Sequence, residues 1–371
     1  MAMAYTDPID PQVNLSDFLH IQTLELNAQT VAYASGTATA PNPRQLRWVL
    51  PPVGLLSRVY LDVDGGSSTA FDFTAGGGTG TAVGRGPWSI IENLSIRING
   101  GVAIFDVSGF GTFLLEAAEE PASLPATQGA GAVYTTAPLD VENTIYNYPA
   151  TADGRPRFGF SIPLSLTPGN PLGMILAGND QTTIELVATF AALSEYSTLA
   201  GGASATLTLT ATPNVEFFAV PEPGAFAQYV RPVLGWAHQN RETRQNITAT
   251  GAQEISLDNH DTILQLIHTV TLNSVLNTDA IERLRFVLNR TEYRFDHGLA
   301  THLRKQRRAI GKDLPAFVWT FFQTRTLRDA IRADSFTDIR SILTVASGTT
   351  IGTAYVDTCE RKLIQLDRRA V

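Results

Sequence analysis

Apolar residues recur at every second position in many short runs along the chain. In the first half Val59, Leu61 and Val63 alternate with other residues, as do Leu94, Ile96 and Ile98, then Ile184, Leu186, Ala188 and Phe190, then Leu207 and Leu209. A period of two places such residues on one face of a β-strand. In the second half Ile263-Leu264-Gln265-Leu266-Ile267 reads as a buried run, Phe317, Trp319 and Phe321 alternate, and Ile342-Leu343-Thr344-Val345 follows. Between the halves, residues 220–232 (VPEPGAFAQYVRP) carry three prolines, which interrupt strand pairing. A boundary is expected near Gly224. It divides the chain into an N-terminal arm with a first strand (1–44), a first β domain (45–223) and a second (224–371).

One pattern occurs twice. IENLSIRINGGVAIFD at 91–106 and IERLRFVLNRTEYRFD at 281–296 align without a gap, and the register holds to Leu124-Pro125 and Leu314-Pro315. Eight of the 35 aligned positions are identical, where average residue usage gives roughly two. Each copy reads as a hairpin. Asn99-Gly100-Gly101 is a strong turn signal, and Asn289 occupies the same place without its Gly. Alternation sends Ala103 and Phe105, like Tyr293 and Phe295, to a common inner face. Asp106 and Asp296 stand where a helix N-cap is wanted. The segments that follow, 109–120 and 298–311, read as short helices, one stopped by Pro121 and the other capped by Gly311. Two copies of one β domain are therefore expected, and truncation of Phe105 or Phe295 should open a cavity in equivalent barrels.

Composition agrees with a globular β protein of two domains: 371 residues, 44% hydrophobic, 17% charged, 30 Gly and 20 Pro. The start (MAMAYTDPID) lacks the basic end and apolar run of a signal peptide, and no run of about 18 apolar residues could span a membrane. Folding in a cytoplasm is the expectation, and the four Asn-x-Ser/Thr triplets are read as chance. The lone Cys359 excludes an internal disulfide and reads as a small buried apolar side chain. Net charge of −8 argues against a protein that wraps nucleic acid. The charge is uneven. Residues 1–220 hold 7 basic and 19 acidic groups (−12), and residues 221–371 hold 20 and 16 (+4). Opposite potentials of this kind can orient subunits head-to-tail.

Catalytic signatures are scarce. Gly78-x-Gly80-x-x-x-Gly84 has the wrong spacing for a dinucleotide fingerprint, and the stretch 75–86 reads as a long loop. His297 and His302 are the closest histidine cluster, but a spacing of five does not put two ligands on one helix face. Glu119-Glu120 and Asp258/Asp261 are the conspicuous acidic clusters, both explained by turns or helix ends. No catalytic, cofactor or metal site is expected. The strongest charge feature is Arg304, Lys305, Arg307 and Arg308, which can solvate a helix and favour its C-terminal end. They can equally meet the acidic half of another subunit.

Two domains with roughly eight strand candidates each, plus one short helix, point to an all-β pair of tandem eight-stranded jelly rolls. Phe160–Phe190 (FSIPLSLTPGNPLGMILAGNDQTTIELVATF), the second hairpin with its helix and DLPAFVWTFF at 313–322, and SFTDIRSILTV at 335–345 carry a likeness. On these stretches the chain resembles the double jelly-roll major capsid proteins of the tectivirus and adenovirus-hexon lineage. The resemblance implies a homotrimeric, pseudo-hexagonal capsomer of an icosahedral virion, with penton or minor capsid proteins as partners. It also implies an N-terminal arm, here NLSDFLHIQTLEL at 14–26, lying toward an internal membrane. The rival readings are a double jelly-roll glycan-cleaving amidase, which needs paired carboxylates in a cleft, and a sugar- or receptor-binding module.

Overall fold

Val59, Leu61 and Val63 are buried along one face of a ten-residue strand, and the same holds for Ile184, Leu186, Ala188 and Phe190 on theirs. The computed structural model describes residues 20–33, 41–65, 79–82, 85, 87–119, 157–166, 172–177, 183–195, 197–200, 207–219, 236–273, 275–289, 292–311, 314–321, 327 and 330–365. The expected boundary near Gly224, Pro121, Arg290 and most of the N-terminal arm lie outside them.

The first half runs β1 (Ile21–Glu25), β2 (Gln29–Tyr33), β3 (Gln45–Val49), β4 (Leu55–Asp64), β5 (Thr79–Ala82), β6 (Ile91–Ile98) and β7 (Val102–Val107). Helix α1 (Gly109–Glu119) follows, then β8 (Arg157–Pro163), β9 (Ile175–Leu176), β10 (Ile184–Phe190), β11 (Ser197–Ala200) and β12 (Leu207–Phe218). The second half runs β13 (Trp236–Asn246), β14 (Gly251–Leu257), β15 (Thr262–Leu272), β16 (Val275–Leu276), β17 (Ile281–Leu288) and β18 (Glu292–Gly298). Helix α2 (Leu299–Ile310) is followed by β19 (Phe317–Thr320), β20 (Ile331–Arg332), β21 (Ile339–Val345) and β22 (Ala354–Gln365).

Each half folds as a jelly roll. In the first, one sheet orders β1/β2-β12-β4-β8 and the facing one β3-β10-β6-β7. In the second the orders are β13-β22-β15-β19 and β14-β21-β17-β18. Strand for strand these are the same wiring: β6, β7, α1 and β10 of one barrel correspond to β17, β18, α2 and β21 of the other. Alternating faces fill each barrel, Leu94, Ile96 and Phe105 in the first and Leu284, Phe286 and Leu343 in the second. The stretch read as a Gly-rich loop holds a strand: β5 pairs with β11. Residues 21–25 of the arm form an edge strand on β12.

The two barrels share a sheet. β7, the last strand of one sheet in the first half, pairs in parallel with β13, the first strand of the second half, through Phe105 opposite Asn240 and Asp106 opposite Arg241.

Candidate functional site

The repeated hairpins can be compared position by position. Asn99 and Asn289 both sit at φ 50, in the left-handed region. That region suits Asn better than other side chains that bear a Cβ. Each amide oxygen accepts a backbone N–H from the segment entering the next strand, Thr183 at 2.8 Å and Thr337 at 3.0 Å. Each hairpin then carries a bulge at the same place. Ile96 opposes Phe105 while Arg97 opposes Ala103, and Phe286 opposes Phe295 while Val287 opposes Tyr293. The extra residue, Ile104 or Arg294, breaks the alternation. Ala103 therefore lies opposite exposed Arg97 and not on the inner face beside Phe105, as simple period two would have it.

Asp106 and Asp296 are not helix caps. Both belong to strands, two residues short of the cap position, and each is held by the residue 13 positions earlier. Asn93 donates to Asp106 at 2.8 Å, and Arg283 makes a bidentate pair with Asp296 at 2.7 Å. That pair holds the Asp296 carboxyl below the usual carboxylate range. The caps are Ser108, whose Oγ accepts from the Gly111 N–H at 3.0 Å, and Gly298. Gly311 closes α2 in the left-handed conformation, its N–H bonded to the Arg307 carbonyl.

The α1 unit is enclosed by the second barrel. Phe105, Phe113, Leu114 and Leu115 are buried, and Cys359, Ala237 and Ile364 from β22 and β13 pack into the same core. Charge enters this junction too. Glu242 accepts the Ser108 N–H at 2.6 Å, and burial beside Asp357 pushes its carboxyl up. Asp357 is gripped by Arg244 (2.6 Å) and Arg85 (3.4 Å), from one barrel each. Arg361 pairs with Glu119 at the end of α1 and donates to His238 Nε2 at 2.6 Å. Burial and the neighbouring guanidinium hold His238 well below the usual histidine range. The sequence reading missed this network. Its one trace is four charged residues (Asp357, Glu360, Arg361, Lys362) inside a twelve-residue strand. Cys359 itself is buried, and burial raises its thiol pKa.

The α2 unit is open by comparison. Only His302, Gln306 and Ile310 of the helix are buried, while Arg304, Lys305, Arg307 and Arg308 are exposed. Phe295, expected in the core like Phe105, is half-buried and stacks on Trp319 at 5.5 Å. Gln306 reaches under the helix, donating to the Ala316 carbonyl and accepting from the Val318 N–H, both at 2.9 Å. His297 lies on β18 and not on the helix, which brings its ring to 6.0 Å from that of His302. A pocket of about 470 Å³ opens here, lined by Phe295, His297, His302, Lys305, Trp319 and Phe321 among others. Lys305 lies 2.7 Å from His297 Nε2. Burial, His297 and Lys305 lower the His302 pKa to about 4.

Of the remaining acidic clusters, Glu120 lies outside the described residues. Glu119 binds Arg361, Asp258 accepts the His260 N–H at 3.1 Å, and the Asp261 carbonyl accepts from Ala333. Among the described residues no group of three His, Cys, Asp or Glu side chains could hold a metal ion, and no helix is long and apolar enough to cross a membrane.

Solved structures share this two-barrel arrangement over nearly the whole chain. The MCP of STIV (Sulfolobus Turreted Icosahedral Virus) superposes with a TM-score of 0.62 at 14% identity, covering 95% of this chain and 99% of that one. The fold is that of the double jelly-roll capsid proteins. The PBCV-1 virus capsid matches at TM-score 0.57 and 10% identity over 93% and 94% of the two chains. The major capsid protein P2 from Bacteriophage PM2 matches at 0.51 and 11% over 93% and 98%. No family model and no curated protein sequence matches the chain.

Proposed function

We propose that this chain is a viral major capsid protein, a structural subunit that closes into a homotrimer and tiles an icosahedral shell. The observation that carries the reading is the pairing of two like-wired jelly rolls through one shared sheet. This arrangement is matched along its length by capsid proteins of three viruses. Three copies of a two-barrel chain set six similar barrels around a three-fold axis, a nearly hexagonal tile. A head-to-tail interface that closes at three leaves no growing end. On this reading the chain divides near Gly224, its neighbours are other capsomers and penton or minor capsid proteins, and its N-terminal arm faces an internal membrane. Assembly takes place in the host cytoplasm. The acidic balance of −8 fits a shell wall better than a nucleic-acid binder. Sedimentation tests it. Three chains of 40.0 kDa give a species of about 120 kDa, and electron microscopy should show tiles with hexagonal outlines. A protein that stays monomeric at micromolar concentration overturns the reading.

A further inference from the structure

The pocket behind α2 is short of hydrogen-bond acceptors. His302 is 2% exposed, yet neither of its ring nitrogens has a partner, and the buried Nε1 of Trp319 and Nδ1 of His297 have none. The tautomer of His297 follows from its neighbour. An ammonium group can only donate, so Lys305 makes His297 Nε2 the acceptor and leaves the proton on Nδ1. The indole N–H, the His297 N–H and one N–H of neutral His302 are thus donors without acceptors. Buried donors of this kind cost stability until an acceptor arrives. Arg308 and Lys305 stand at the same wall. Such a site suits a carboxylate.

The chain also contains a template for what covers it. The equivalent surface of the first barrel, α1 with β7, is covered by the outer face of β13 and β22. β18, the counterpart of β7, ends its sheet with no further strand among the described residues. β1, beside β12 as β13 is beside β22, likewise has a free outer edge there, and it exposes Ile21 and Leu24. The last strands of the two barrels, β12 and β22, are twelve residues each. Laid end to end, Asn214 falls on Arg361. Glu25, opposite Asn214, then falls on Asn240, opposite Arg361. Asn240 is the residue that faces Phe105, and the repeat's counterpart of Phe105 is Phe295, a wall of the pocket. The outer face around Glu25 is crowded with acid: burial and the Glu25 charge raise the Asp62 pKa, and Glu216 lies two residues from Asn214 on the same strand face.

We infer that a second copy of this chain lays the outer face of its β1–β12–β4 sheet over α2 and β18 of the first, with Glu25 delivering its carboxylate to the pocket of His297, His302 and Trp319. The inference rests on the proposed self-association and names its contact. It makes the junction between chains a near copy of the junction within one chain, with acid on one side and the basic helix on the other.

Carbodiimide coupling, which joins a carboxylate to a lysine at zero length, tests it on oligomers assembled from equal parts of ¹⁴N- and ¹⁵N-labelled full-length chain. The expected product is a mixed-isotope peptide linking Lys305 to Glu25, Asp62 or Glu216, lost in Lys305→Arg. Trp319→Phe keeps an aromatic side chain but deletes the donor, and should weaken association about tenfold, the worth of one hydrogen bond to a charged group. Oligomers that form but couple Lys305 only within its own chain, or to other acids, or not at all, overturn this contact and leave the capsid reading standing. A low-mass carboxylate retained by wild-type oligomers and lost with Trp319→Phe overturns it as well. Absence of any oligomer overturns both.

Discussion

The α1 and α2 units share wiring, turn conformation and bulge position, yet one is core and the other is surface. Phe105 is 1% exposed while Phe295 is half-buried, and α1 buries eight residues against three for α2. The difference lies in what covers them. β7 is continued by β13, so the helix beside it is roofed by the second barrel, whereas β18 ends its sheet among the described residues. Sequence follows environment: the covered helix reads GFGTFLLEAAE and the open one LATHLRKQRRAI. A topological unit therefore does not fix its own burial. Its neighbours do.

Phe105→Ala and Phe295→Ala break the comparison most sharply. Emptying a filled aromatic site costs about 3–5 kcal/mol, so Phe105→Ala should bring most of that loss in denaturant unfolding of the isolated subunit. Phe295→Ala should cost less, about 1–2 kcal/mol, since part of its surface is already in water. Equal costs would mean that α2 is as enclosed as α1. Acid is the next lever. The folded-state pKa of His302 is about 4, below the ordinary 6.5, because burial opposes its charge. A depressed pKa means that the unfolded chain takes up the proton first. Stability is then whole above pH 6.5 and falls as pH drops toward 4, by roughly 3 kcal/mol at 1.36 kcal/mol per pH unit. His268, at about 3 and buried between Thr358 and Ser341, adds a loss over the same window and carries it on toward pH 3. The measurement is ΔG of unfolding from pH 7 to 4 for wild type and His302→Phe, which should remove the His302 share and leave that of His268.

The β architecture was legible because period-two runs are dense, and the repeated hairpins were legible because turn and core positions kept their residues. Neither alternation nor propensity could show the bulge at Ile104 and Arg294, since one extra residue changes the facing of its neighbours without changing composition. The error over Asp106 and Asp296 has the same root. Asp before a helix reads as a cap, but the cap lies two residues on, at Ser108 or Gly298. The junction charges were illegible for another reason: Asp357 and Arg361 are buried, and Glu242 half-buried, because the first barrel lies on their strands. The histidine pocket was seen as a cluster and dismissed on helical spacing, which does not apply when His297 sits on a strand.

Glycine at α1 offers a finer test of enclosure. A Cβ on Gly111 would lie 2.7 Å from Val107 Cγ1, 2.8 Å from Glu242 Oε2 and 2.9 Å from Cys359 Sγ. Overpacking of this sort costs about 1–3 kcal/mol, so Gly111→Ala should lower stability by that amount despite a better helix former. The corresponding position on α2 is Thr301, exposed on the open face. Thr301→Ala should change stability by no more than about 0.5 kcal/mol. A pronounced loss there, measured on the monomer, would show that something within the same chain covers α2.

The smallest difference between the two units is expected at their turns. Asn99 and Asn289 share φ 50, and each amide oxygen accepts a backbone N–H from the strand entering beside it. Alanine at either site lacks the polar side chain that makes the left-handed region tolerable and removes that acceptor, a combined cost of about 1 kcal/mol. Glycine restores the backbone freedom but not the acceptor, so each Asn→Gly should recover part of the loss. The two alanine variants should match each other within about 0.5 kcal/mol in urea unfolding, because neither turn lies under the other barrel. A match here, alongside a large gap at Phe105 and Phe295, would separate what the repeat determines from what its neighbours determine. If Asn99→Ala proved several times costlier than Asn289→Ala, the turns would not be equivalent, and the repeat's pairing of Phe105 with Phe295, on which the α2 contact depends, would lose its footing.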